Sequence, residues 1–247
     1  MARIILHIGT HKTGTTGMQR ALFEQRSRLK ECGISYDPWP GVLGHLKYAH
    51  HGLAHRLASF EPEDKQVLAD YRLRLEQALS QGEDVIISAE PFYRQVAAGL
   101  PDDPNAARVC FMGRVADYFK GLTVEVSVCL RRPDLLAESM FKEQAVSTDN
   151  KLEFLPWLDK FAPRFDYIAR LAEFEQRFGP AKVWCFEHAV RKGLMPTFLE
   201  LHGLTVPEFE DAKADRKSVS VRSALWVLSA KRAVEGMSAS ERLVRWY

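Results

Sequence analysis

Residues 2–25 read ARIILHIGTHKTGTTGMQRALFEQ, from Ala2 to Gln25. Ile4 to Ile8 form an apolar run of the length of a buried strand. A turn follows, rich in glycine and threonine and holding one lysine. From Thr15 a helical pattern begins, with Met18, Leu22 and Phe23 on one face and Leu29 continuing it, so a helix is predicted over Thr15 to Lys30. Gly33 is the expected stop. A strand, a tight turn and a helix place backbone N–H groups and the positive end of a helix dipole at one point, which is an anion site. Lys12 adds a mobile charge, Thr13, Thr15 and Thr16 add hydroxyls, and Gly14 lets the backbone come close or take a positive φ. His11 lies inside the same turn and shapes it. The expected ligand is a phosphate or a group shaped like one.

The pattern repeats along the chain. DVIIS (Asp84–Ser88), VEVSVCL (Val124–Leu130) and KVWCFE (Lys182–Glu187) are further buried strands. Helices are predicted over Glu63–Gln81, from Pro133 to about Val146, over Arg164–Phe178 and over Val221–Val234. Strands alternating with helices predict a three-layer α/β/α fold around a parallel sheet. No linker or repeat divides the 247 residues, so a single domain over 1–247 is expected. Ligands of such sheets bind beyond the carboxyl ends of the strands.

The bulk numbers exclude little else. A net charge of +2 argues against wholesale nucleic-acid binding. No apolar run reaches the ~20 residues of a membrane span, and the N-terminus is not a signal peptide, so a cytoplasmic protein is expected. Cys32, Cys110, Cys129 and Cys185 form no CxxC pair, and the last three lie in or beside apolar runs, which predicts buried thiols. No metal-ligand spacing is compelling.

The turn is not a Walker A motif, in which lysine follows the second glycine. Here Lys12 precedes Gly14, and no lysine follows that glycine. HKTGTT after a strand resembles the 5′-phosphosulfate loop of the sulfotransferases that use 3′-phosphoadenosine 5′-phosphosulfate (PAPS). A second motif of that family is an arginine at a strand end, a proline two residues later and a serine eight residues after the arginine. VSVCLRRPDLLAESMF matches it with Arg131, Pro133 and Ser139. An arginine there grips phosphate through its fork of donors, and a helical serine adds a hydroxyl. The resemblance implies a P-loop-like sulfotransferase fold and assigns Arg131 and Ser139 to the 3′-phosphate of PAPS. The spacing favours Arg131 over Arg132. Many relatives carry a basic loop near the 3′-phosphate where DRKSVSVRSAL stands, which implicates Arg216 and Lys217. The glycine-rich form of that loop is absent.

The reaction so implied moves a sulfuryl group to a hydroxyl or amine of a small-molecule or carbohydrate acceptor, with no metal required. Lys12 would stabilise the leaving phosphate oxygen, and a general base would take the acceptor's proton. Glu90, in VIISAEPFYR, is the first candidate base and resembles the glutamate of the carbohydrate-modifying branch. His50 or His51 is the second; both lie in HLKYAHHGLAH, with His45 and His55. Aromatic residues between Tyr36 and Phe60, with Trp157, Phe161 and Tyr167, are candidate acceptor walls or plain core. His7, inside the first strand, reads as core. Two other readings stand: a P-loop small-molecule kinase, and a nucleotide-binding relative without transfer activity. The amphipathic tail ERLVRWY leaves a homo-oligomer open.

Overall fold

The apolar run after Arg3 is the centre of the molecule. Ile4, Ile5, Leu6 and Ile8 are fully buried, because the strand is covered on both faces. The structure, a computed structural model, describes residues 1–44, 46–100, 103–211 and 219–233. In chain order it contains β1 (Ile4–His7), α1 (Thr15–Glu24), α2 (Arg26–Glu31), β2 (Ile34–Ser35), α3 (His51–Ser59), α4 (Pro62–Ser80) and β3 (Asp84–Ser88). Then come α5 (Pro91–Arg94), α6 (Pro104–Tyr118), β4 (Val124–Leu130), α7 (Pro133–Ser147), α8 (Phe154–Phe161) and α9 (Tyr167–Phe178). β5 (Lys182–Cys185), α10 (Phe186–Lys192), α11 (Leu194–His202) and α12 (Val221–Ala233) complete the order. The described residues cluster into two units, those within Met1–Leu130 with 167–211, and those within Arg131–Asp166 with 219–233.

The first unit holds the sheet, in order β2-β3-β1-β4-β5 and parallel throughout. Alternation along the strands splits the core in two. Ile4, Leu6, Ile87 and Val126 face α3, α4, α6 and α9. Ile5, Ile86 and Cys129 face α1, α2 and α11. The protein is therefore an α/β fold with a central parallel sheet between two helical layers. His7 pairs with Ser88 on one side and Ser127 on the other, so β1 and β3 end side by side.

Several predicted boundaries move. β1 stops at His7. The helix predicted over 15–30 breaks at Gln25, whose backbone (φ −101°, ψ 17°) closes α1 before α2 starts. The helix predicted from Arg164 breaks at Asp166, with a 3-10 turn over Ala162–Phe165 before α9. Phe186 and Glu187 belong to α10, not to the preceding strand. Cys185 is exposed rather than buried, because β5 is an edge strand whose outer positions, Val183 and Cys185, lack a covering layer. Cys110 is half-buried, and Cys129 is buried as expected. Val234, the predicted end of the last helix, lies outside the described residues.

The second unit is built on α7, α8 and α12. Trp157 is fully buried there, with the rings of Phe161 and Phe141 centred 5.0 and 5.5 Å away. Its indole N–H donates to Gln144 Oε1 at 2.8 Å. Lys231 of α12 is also fully buried and donates to the carbonyls of Ala145 and Thr148, satisfying acceptors at the α7 C-terminus.

Candidate active site

The turn after β1 is shaped by positive φ angles at Gly9 (36°), Lys12 (64°) and Gly14 (70°). Gly14 is required twice over. It sits in the left-handed region, and a Cβ there would lie 2.5 Å from Leu194 Cδ1. The first hydrogen bond of α1 runs from the Met18 N–H to the Gly14 carbonyl at 3.2 Å. The N–H groups of Thr15, Thr16 and Gly17 thus have no acceptor inside the helix. They point the positive end of α1 at the turn that carries Lys12.

The threonines divide their work. Thr13 Oγ1 donates to the Thr10 carbonyl at 2.6 Å, and Thr15 Oγ1 lies 3.1 Å from Thr13 Oγ1. Both hydroxyl protons are thereby used to brace the loop. Thr10 Oγ1 in turn donates to the Cys129 carbonyl at 2.9 Å, fastening the turn to β4. The Thr16 hydroxyl is half-buried and makes no hydrogen bond among the described residues. Of the three predicted hydroxyls, it is the one left to serve a ligand. His11 and Lys12 are both half-buried at the apex.

Glu90 stands beside this turn, just past β3. A Cβ on Gly9 would lie 3.3 Å from Glu90 Cγ and 3.2 Å from His7 Cε1. Glu90 is 5% exposed and forms a close hydrogen-bonded pair with His51 Nε2. The second predicted base is thus in contact with the first. The same oxygen, Glu90 Oε2, accepts from Gln19 Nε2 at 3.1 Å. Burial opposes ionisation of Glu90, but the hydrogen bond and charge of His51, with the Gln19 amide, outweigh it and hold the pKa at about 2. His51 Nδ1 makes no hydrogen bond among the described residues. His50 is fully buried; its main-chain N–H donates to the Ser88 carbonyl at 3.0 Å, and its Nδ1 accepts the Ser88 N–H at 3.2 Å. Burial pushes its pKa down to about 4. It clips the end of β3 and is closed off from solvent.

His51 also borders a groove of about 360 Å³ between α3, the start of α4 and the preceding loop, lined by Leu43, Leu46, His55, Arg56 and Asp64 among others. Gly52 lets that loop close on α3, since a Cβ there would overlap the Leu43 carbonyl at 1.2 Å. Among the described residues, no Phe, Tyr or Trp lines the groove. Of the aromatic residues read as acceptor walls or plain core, Tyr36 and Trp39 are packed: Tyr36 is 3% exposed and donates to the Tyr48 carbonyl at 2.7 Å, and Trp39 stacks on Tyr71 at 6.0 Å. Trp157 is core as well. His51 and His55 share a face of α3, and no third ligand joins them in a metal-binding group among the described residues.

In the second unit, Arg131 directly follows β4 and is half-buried, while Ser139 is buried on α7. Arg132 is exposed and paired with Asp134 at 2.7 Å. Arg216, Lys217 and His45 lie outside the described residues.

Gln19 and Ser88 were not singled out for chemistry by the sequence, and His7 was read as core. His7 Nδ1 lies 2.9 Å from Ser88 Oγ, which also accepts from Gln19 Nε2 at 3.1 Å. The partners are far apart in the chain, Gln19 and Glu90 by 71 positions. One signal was present: a glutamine on the apolar face of the first helix, next to Met18.

No helix among the described residues is long and apolar enough to cross a membrane. No protein-family model matches the chain, and no curated protein does so. Among solved structures, the chain is similar to a sulfotransferase from Alicyclobacillus acidocaldarius, at 16% identity and a TM-score of 0.50, over 94% of each chain. Retinol dehydratase, solved in complex with androsterone and the inactive cofactor PAP, aligns at 14% identity and a TM-score of 0.37. That alignment covers 94% of this chain and 65% of the other, too loose to support an argument. The first likeness shows that this chain has the fold of a sulfotransferase.

Proposed function

We propose that this chain is a PAPS-dependent sulfotransferase acting on a hydroxyl or amine of a small-molecule or carbohydrate acceptor. The observation that carries the reading is the turn before α1. Lys12, the N–H groups of Thr15, Thr16 and Gly17 and the Thr16 hydroxyl are donors gathered at one helix N-terminus, and the chemistry of that set fits a phosphosulfate. When bound, PAPS supplies a sulfuryl group activated by its anhydride link to phosphate. Lys12 and the α1 N-terminus stabilise negative charge gathering on the phosphate side of that link. Arg131 and Ser139 hold the 3′-phosphate, a role that rests on the motif spacing.

The base is assigned within the pair rather than to Glu90 alone. A carboxylate held at about 2 is ionised at neutral pH and is a weak proton acceptor. Glu90 therefore orients the His51 ring through their hydrogen bond. His51 Nδ1 takes the acceptor's proton. The acceptor enters through the groove that His51 borders, where Arg56, Asp64 and His55 offer polar contacts and Leu43 and Leu46 apolar ones.

The test is transfer of labelled sulfate from PAPS to a panel of sugars, phenols and amines in EDTA. The proposal expects product with the wild type and none with Lys12→Ala. Phosphoryl transfer from ATP that needs magnesium, without sulfuryl transfer, would replace it with the kinase reading. PAPS binding with no product across the panel would favour the catalytically silent relative.

A further inference from the structure

Gln19 is an amide where the core calls for an apolar side chain. It is 1% exposed on α1, between Met18 and Leu22, both buried. Its side chain leaves the helix layer and reaches the end of β3. There Nε2 lies 3.1 Å from Ser88 Oγ, 3.4 Å from the Ser88 carbonyl and 3.1 Å from Glu90 Oε2. Ser88 is itself fully buried and held by His50 Nδ1 through its N–H and by His7 Nδ1 through its hydroxyl. The amide is therefore anchored to a fixed point before it touches Glu90. On the other side of the same carboxylate oxygen sits His51.

We infer that Gln19 is a positioning residue that ties the anion-binding helix α1 to the Glu90–His51 pair, so that a ligand seated at the α1 N-terminus sets the orientation of the imidazole. Thr16 and Gln19 are three residues apart on one hydrogen-bonded helix, so a displacement of its N-terminus moves both together. An uncharged donor suits the task. It fixes the carboxylate without neutralising it, whereas a lysine would compete with His51 for its charge. This inference rests on the proposed function for its ligand, but the tie from Gln19 to His51 can be tested without one.

The experiment is nuclear magnetic resonance of the full chain with ¹⁵N-labelled histidine, its His51 signals assigned by loss in His51→Gln. Wild type is compared with Gln19→Met, which keeps length and removes the donor. Without ligand, the ring N–H resonance of His51 that reports its bond to Glu90 is expected to shift or broaden in Gln19→Met. Adenosine 3′,5′-bisphosphate is expected to move that resonance in the wild type and to leave it unmoved in Gln19→Met, although both bind it. In turnover, kcat is expected to fall about tenfold to a hundredfold with KM for PAPS unchanged, the signature of lost orientation rather than lost binding. Gln19→Glu, a donor only when protonated, is expected to restore part of the loss at low pH.

An unchanged ligand-free His51 resonance in folded Gln19→Met would overturn the inference, as would an identical response to the bisphosphate in both proteins. A bisphosphate that fails to bind the wild type would count against the proposed function, and the ligand-free comparison would still decide the role of Gln19. If Gln19→Met does not fold, the same ligand-free comparison is made with Ser88→Ala, which removes one anchor of the amide. A His51 resonance unmoved in that variant would contradict the tie.

Discussion

Two histidine–glutamate pairs of the first unit, His51–Glu90 and His202–Glu125, differ in everything but composition. His51 and Glu90 lie where β3 ends, beside the Lys12 turn, and His51 borders a groove. His202 and Glu125 lie between α11 and β4. His202 Nδ1 is 2.5 Å from Glu125 Oε1, and His202 Nε2 is 2.9 Å from Ser127 Oγ. Serine, histidine and carboxylate in that order have the hydrogen-bond pattern of a hydrolase triad. Yet Ser127 is fully buried and His202 is 2% exposed, so no substrate reaches them. Glu125 is further occupied by Arg3 and Lys182, each at 3.1 Å. Every group in the second cluster has a partner in the protein, whereas among the described residues His51 Nδ1 and the Thr16 hydroxyl of the first make no hydrogen bond, and three N–H groups of α1 have no acceptor inside the helix. A pair becomes a candidate for chemistry through access and uncommitted donors, not through its own geometry.

The largest expected difference between the pairs is in turnover. His51→Gln should lower kcat by about 10²–10⁴-fold, the range for a lost general base, while leaving the melting temperature close to wild type. His202→Gln should do the reverse. It should cost about 1–3 kcal/mol of stability, because Ser127 and Glu125 are left with unmet hydrogen bonds, and keep kcat per folded molecule. Denaturant titration beside an activity assay separates the two. Equal loss of activity in both variants would break the distinction.

Acid should act on both pairs. Burial holds His202, like His7 and His50, down to about 4. An unfolded histidine protonates near 6.5, so the unfolded chain takes up protons first as pH falls. The stability these three contribute is therefore complete above 6.5 and is lost as pH falls from 6.5 towards 4, by about 1–3 kcal/mol each. Glu90 is depressed as well, from 4.5 to about 2, so its share is present above 4.5 and is lost only below that. His202→Gln should flatten the upper part of the profile, measured as urea midpoints between pH 4 and 7, and reduce the Glu125 share of the part below 4.5, because the His202 hydrogen bond, against burial, helps hold that carboxyl down. A wild-type midpoint that is constant from pH 7 to 4 would contradict the assignment of neutral, buried histidines.

The smallest expected effect is at the serine. Ser127→Ala should change stability by about 1 kcal/mol and turnover not at all, and a fluorophosphonate should leave Ser127 unlabelled. Labelling there would mean that the cluster opens to solvent and that the comparison has been drawn wrongly.

Much of this arrangement is legible in the sequence because it is local. IILHI, DVIIS and VEVSVCL are strands because their apolar runs are covered on both faces, and the Lys12 turn is contiguous. What is not legible depends on partners distant in the chain. β2 is two residues long and exists only by pairing with β3. The exposure of Cys185 follows from the strand order, which no run of residues announces. α6 went unread: Asp103 caps it by accepting from the Asn105 and Ala106 N–H groups and Pro104 follows, but the helix has no clear apolar face. In the site, Glu90 and His51 were each readable as candidate bases. That they form one unit, and that Gln19 holds it, follows from the adjacent ends of β1 and β3.

The most direct test is calorimetric titration of the wild type and of Lys12→Ala with adenosine 3′,5′-bisphosphate in EDTA, with Arg131→Ala alongside. The account predicts micromolar binding by the wild type that both substitutions weaken by about tenfold or more, as expected for loss of a charged phosphate contact. Well-folded wild-type protein that shows no heat of binding, or variants that bind as tightly as the wild type, would contradict it.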